Sequence, residues 1–156
     1  MAGGGPNRYS AAMRRLSTIG YEGKTQEEFL GELVAAGVEV VIDVRAIAAS
    51  RRPGFSKTAL ANGLAERGIG YLHLRALGTP TAGRQAARAG RTQEMRAIYA
   101  DQLETPEASL AIEQALAASA ERHCALLCYE RGAPECHRSM LAERMIARAP
   151  FQVHDL

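Results

Sequence analysis

A chain of 156 residues with a net charge of +2, 47% hydrophobic and 23% charged residues has ordinary globular composition, long enough for one hydrophobic core and short for two. That composition excludes a disordered chain, and no stretch approaches the roughly 20 uninterrupted apolar residues of a membrane helix. So small a net charge does not by itself mark a nucleic-acid binder, although 17 of the 19 basic residues are arginine.

Residues 1–14, with Gly3-Gly4-Gly5-Pro6 and no apolar run, read as a flexible tail and not as a signal peptide. A single α/β domain is expected over 15–156, and the cytoplasm is the expected location. Three cysteines without a secretion signal argue against a structural disulfide framework.

In chain order, Leu16 to Gly20 reads as a first strand. Thr25 with Glu28 has capping-box spacing, and Phe29, Leu30, Leu33 and Val34 form one face of a helix that Gly37 ends. Val38 to Val44 is a nearly continuous β-branched run, as expected of a strand buried on both faces. Ser56 is placed to cap a helix carrying Leu60, Ala61, Leu64 and Ala65. Ile69 to Leu74 is a third strand, followed by an irregular stretch to about Arg91 and a helix with Met95, Ile98 and Tyr99. Thr105-Pro106 starts a helix that runs to about Ala120. His123 to Cys128 is a fourth strand, Pro134 opens a helix with Leu141, Met145 and Ile146, and Phe151 to His154 is a last strand. The alternation predicts a three-layer α/β fold, with a mostly parallel sheet of about five strands flanked by helices. Strand order is not legible.

In such sheets, ligands bind outside the carboxyl ends of the strands. Those ends hold Gly20-Tyr21-Glu22, Asp43-Val44-Arg45 with Ser50-Arg51-Arg52-Pro53, His73-Leu74-Arg75, and Cys128-Tyr129-Glu130 followed by Cys136-His137-Arg138. The opposite connections, near Gly37, Gly68 and Glu121, are chemically plain.

Asp43 and Arg45 lie on one side of their strand by the two-residue period. Two readings stand: an internal pair that holds the edge, or convergence of Arg45, Arg51 and Arg52 on an anion, which the planar guanidinium suits. Arg75, Arg84, Arg88 and Arg91 occur with no acidic residue between 75 and 93. If that stretch is helical, Arg84, Arg88 and Arg91 share a face, as a solvated surface or a basic rim. Cys136 and His137 fall in the first turn of the expected helix, where unpaired amides favour an anion or a thiolate. Glu130 is the candidate acid–base group. Against these stands the reading of both cysteines as buried hydrophobes and of His137 as structural.

Cys128, Cys136, His137 and His73 would make a zinc set, but no C-x-x-C pair is present, and no metal or cofactor is expected. A cysteine phosphatase fails on spacing, because five residues after Cys124 or Cys128 lead to Glu130 or Pro134 and not to arginine. A rhodanese-like sulfur transferase is hinted at by Ile42-Asp43-Val44-Arg45 upstream of Cys128, although the loop to Arg138 is longer than its compact cradle.

The chain resembles the domain-of-unknown-function 488 family of bacterial and archaeal proteins. The matching pieces are Thr18-Ile19-Gly20, Asp43-Val44-Arg45, Ser50-Arg51-Arg52-Pro53 with Phe55-Ser56, Tyr71-Leu72-His73-Leu74 with Leu77-Gly78, and Cys128-x-Glu130 with Cys136-His137-Arg138. They span roughly residues 16 to 156. Tyr21-Glu22 stands where the family often has His-Ser, so a first-loop histidine is not carried over. Ala48 stands where a proline is common. The resemblance implies a cytoplasmic α/β fold, supplies no reaction, and points toward nucleic acid only through an occasional description as DNA-repair-related.

The expected function is therefore an enzyme or binding protein for an anionic ligand, nucleotide or nucleic-acid-related, with no membrane partner. Its catalytic candidates are Glu130, Cys128, Cys136 and Asp43. Its ligand-binding candidates are Arg45, Arg51, Arg52, His73, His137, Arg138, Gly20 and Tyr21. The alternatives are a non-catalytic nucleotide or nucleic-acid module and a thiol-based sulfur-transfer or redox protein in which Cys128 and Cys136 pair transiently.

Overall fold

The computed structural model describes residues 14–130 and 137–156. The expectations placed on residues 1–13, on Pro134 as a helix start and on Cys136 lie outside the described residues. Among the described residues, five strands form one parallel sheet in the order β3-β2-β4-β1-β5. The strands are β1 (Arg14–Gly20), β2 (Val40–Asp43), β3 (Gly70–His73), β4 (Cys124–Cys128) and β5 (Phe151–Asp155). The helices are α1 (Gln26–Ala35), α2 (Lys57–Glu66), α3 (Thr81–Arg88), α4 (Thr92–Leu103), α5 (Pro106–Glu121) and α6 (His137–Ile146).

The two-residue strand period splits the core into two layers. Ile19, Val41, Ala125 and Leu127 face α1 and α2, where they meet Phe29, Leu30, Leu33, Leu60 and Leu64. Leu16, Ile42, Leu126 and Cys128 face the other way, against Tyr99 of α4, Ala111 and Ala115 of α5 and Leu141 and Met145 of α6. Each fully buried Leu, Ile or Phe contributes about 1.5–3 kcal/mol, so this alternation outweighs any single polar contact in fixing the fold. The chain leaves β1 and β2 over one face and β3 and β4 over the other. Such a reversal opens a crevice at the carboxyl edge.

Local chemistry explains the element boundaries. Thr25 and Glu28 form the expected capping box, with Oγ1 accepting from the Glu28 amide at 3.1 Å and Glu28 accepting from the Thr25 amide at 2.9 Å. Thr105 accepts from the Ala108 amide, with Pro106 at the first turn. Ser56 sits at the cap of α2 but makes no side-chain cap bond. Its hydroxyl instead donates to the Ser50 carbonyl at 3.1 Å and accepts from the Ser50 amide at 3.0 Å, closing the loop after β2.

The stretch expected to be irregular up to Arg91 holds a 3-10 turn (Arg75–Leu77) and α3. Only Gly83 and Ala86 of α3 are buried, and two small residues do not register as an apolar stripe. The turn is tied to α4 by Tyr99, whose hydroxyl donates to the Leu77 carbonyl, and by Gln102, whose amide donates to the Ala76 carbonyl, both at 2.7 Å. Among the described residues, no helix is long and apolar enough to cross a membrane.

Candidate functional site

Strand pairing aligns the ends that carry chemistry: Gly20 is level with Cys128, Asp43 with Leu127, and His73 with Asp43. Asp43 is fully buried. Its Oδ1 accepts from the Arg45 amide at 3.1 Å and from Arg45 Nε at 2.9 Å; its Oδ2 accepts from Arg45 Nη2 at 2.7 Å and from the Tyr71 hydroxyl at 2.6 Å. Asp43, expected among the catalytic groups, thus has all of its carboxylate acceptor positions taken by four donors.

Arg45 is equally committed. Its Nη1 donates to the Phe55 carbonyl at 2.7 Å and to the Tyr21 hydroxyl at 3.4 Å. Burial works against its charge, but the hydrogen bonds and attraction of Asp43 outweigh burial and raise its pKa. Burial, and then the hydrogen bond to Asp43, raise that of Tyr71. His73 Nε2–H donates to the Arg45 carbonyl at 2.8 Å, which fixes the start of the following loop.

At the end of β4, Arg138 reaches back from the first turn of α6. It is 0% exposed; its Nη1 donates to the Glu130 carbonyl at 2.5 Å and lies 2.9 Å from Cys128 Sγ. Burial lowers its pKa, opposed by Asp155 and Glu130. Glu130 is half-buried, with Oε2 3.7 Å from Cys128 Sγ. Cys128 is disulfide-bonded, so it is no thiol nucleophile in this state. Cys124 is a free, buried cysteine. His137 Nε2–H donates to the Val44 carbonyl at 3.0 Å, and its ring packs edge-on to Tyr99 with centroids 4.9 Å apart. Burial pushes its pKa down to about 4, so the ring is neutral near pH 7.

These ends surround a cavity of about 470 Å³. Tyr21, Arg45, Cys128, Glu130 and His137 line it, together with Ile47, Thr79, Arg84, Arg88, Met95 and Tyr129. Several of the expected ligand-binding residues are not in its wall. Arg52 Nε donates to the Lys24 carbonyl at 3.1 Å, and Nη2 bonds the same oxygen; Arg51 is exposed away from the lining. Gly20, His73 and Arg138 are likewise not among the lining residues. Of Arg45, Arg51 and Arg52, Arg45 alone is in this lining.

The cationic wall comes instead from α3. Arg84 and Arg88, four residues apart, share the helix face that borders the cavity. Arg84 donates to the Thr79 carbonyl at 2.7 Å and to Thr81 Oγ1 at 3.1 Å. Neither arginine makes a salt bridge among the described residues, whereas Arg91 pairs with Glu94 at 3.1 Å. The readable signal was the four-residue spacing in a stretch without acidic residues; what hid it was the missing apolar stripe of α3. Among the described residues, no group of three or more His, Cys, Asp or Glu side chains is placed to hold a metal ion.

The chain belongs to the family described as "Domain of unknown function DUF488", whose model matches residues 25–145. No curated protein and no solved structure matches the chain.

Proposed function

We propose that this member of the DUF488 family binds an anionic organic ligand in the cavity at the carboxyl edge of its sheet, with Glu130 as the acid–base group acting on it. The observation that carries this reading is the pair Arg84 and Arg88 in the cavity wall, without an acidic salt-bridge partner among the described residues. Arg45 contributes a rigid wall more than a free charge, because Asp43 occupies two of its nitrogens. Two arginines on one face suit a phosphate or carboxylate. Glu130 lines the same cavity from a different element, which supports a part in exchanging a proton with a bound group.

Calorimetry with inorganic phosphate at rising salt tests the anion site: binding is expected to weaken as salt rises, and its absence at low salt rejects the reading. Glu130→Gln, assayed against a panel of phosphate esters, separates enzyme from binding module. Loss of turnover with retained binding supports the acid–base role; undiminished turnover removes it.

One observation favours a second reading, a thiol-based redox or sulfur-transfer protein: the disulfide-bonded Cys128 lies in the cavity wall with the Arg138 guanidinium against its sulfur. Titration of the reduced protein tests it, and a thiol at Cys128 with ordinary reactivity rejects it.

A further inference from the structure

The cavity mouth carries two exposed apolar side chains that the core does not use. Ile47 is 60% exposed and Tyr129 47% exposed, and both line the cavity that holds Arg84 and Arg88. Tyr129 is firmly seated. Its ring meets Tyr21 edge-to-face with centroids 5.3 Å apart, and its carbonyl accepts from the Glu22 amide at 2.9 Å. Tyr21 is itself buried and stacked on Phe55 at 4.5 Å. A fixed aromatic ring with open surface beside a cationic wall offers a planar heterocycle a stacking platform.

Resting on the anion site above, we infer that the ligand is a mononucleotide, a nucleoside carrying a terminal phosphate. Three chemistries are met together. Arg84 and Arg88 take the phosphate. Tyr129 and Ile47 take the base. Glu130 accepts a hydrogen bond from a ribose hydroxyl or an exocyclic amine, and it lies on a different element from the arginines, so the phosphate need not meet the carboxylate. Inorganic phosphate satisfies only the first of these, and a nucleoside only the other two.

Size and charge favour one nucleotide over a strand. The cavity of about 470 Å³ lies within the roughly 300–1,000 Å³ of small-molecule sites, and its lining includes the buried Met95 and His137. A net charge of +2 is small for a surface that neutralises a run of phosphates.

The test is calorimetric titration of the full chain with inorganic phosphate, a nucleoside and a nucleoside 5′-monophosphate, repeated with Tyr129→Leu. The monophosphate is expected to bind about tenfold more tightly than either part, within the span of one base–aromatic stack. Tyr129→Leu is expected to close most of the gap between monophosphate and phosphate. Equal Kd values in the unaltered chain, or a gap that survives Tyr129→Leu, overturn the nucleotide assignment and leave the anion site standing. No binding by any probe overturns both. A short single-stranded oligonucleotide that binds more tightly than the mononucleotide also overturns the assignment, in favour of a strand-binding groove.

Discussion

Arg45 grips Asp43 with two nitrogens, Nε on Oδ1 at 2.9 Å and Nη2 on Oδ2 at 2.7 Å, and both side chains are buried. Because the pair spans only two residues at the tip of β2, it fixes the direction in which the chain leaves the strand. The Tyr71 hydroxyl and the Arg45 amide also donate to Asp43, and Arg45 Nη1 also donates to the Phe55 carbonyl and the Tyr21 hydroxyl. The ion pair thus builds the cavity wall from inside.

Asp43→Ala is expected to destabilise the protein by about 3–5 kcal/mol, because it leaves the buried Arg45 guanidinium without its counter-charge. Denaturant unfolding measures this. A loss below about 1 kcal/mol would mean that the pair is solvated in solution.

Gly78→Ala is expected to cost about 1–3 kcal/mol and to weaken ligand binding. A Cβ at Gly78 would collide with the Ala46 backbone, and Ala46 and Ile47 form one wall of the cavity. Wild-type stability and affinity in this variant would show that the two segments are not in contact.

His137 makes stability depend on pH. Its ring is held neutral down to about pH 4, while the unfolded chain takes up the proton near pH 6.5. Between those values the unfolded state binds more protons, so stability is full above about pH 6.5 and falls as pH drops toward 4. The loss from this residue approaches roughly 3 kcal/mol. Urea midpoints across that window, together with the NMR titration of the ring, check it; a His137 resonance titrating near 6.5 contradicts the burial.

Arg88→Gln is expected to weaken anion binding about tenfold, the effect of one charge-assisted contact, while Arg51→Gln leaves it unchanged. Calorimetry on both variants decides. The reverse order would place the anion over the loop after β2 and not against α3.

Much of the frame was legible in the residues. The β-branched run through Val41 and Ile42 marked a strand buried on both faces, and Thr25 with Glu28, and Thr105 with Pro106, marked helix starts. Each is a local rule whose cause lies within a few residues of its effect. Asp43 and Arg45 were also readable as a pair on one side, but two outcomes stayed open: an internal clamp or a free anion hand. Ser56 was correctly placed at a helix start, yet its hydroxyl had a nearer partner in Ser50. The spacing of Arg84 and Arg88 is visible in the residues, but nothing local to that stretch says that the face they share borders the cavity.

The sequence by itself determined the alternation of strands and helices, the membership of the carboxyl-edge segments and the family, since these follow from periodicity, capping and motif order along the chain. Tertiary structure alone decided the strand order, which charges cancel and which reach the cavity. Those outcomes depend on distances between side chains far apart in the chain: the four donors on Asp43 and the docking of Tyr99 on Leu77 leave Arg84 and Arg88, not Arg45, as the cavity-lining arginines without a salt bridge among the described residues.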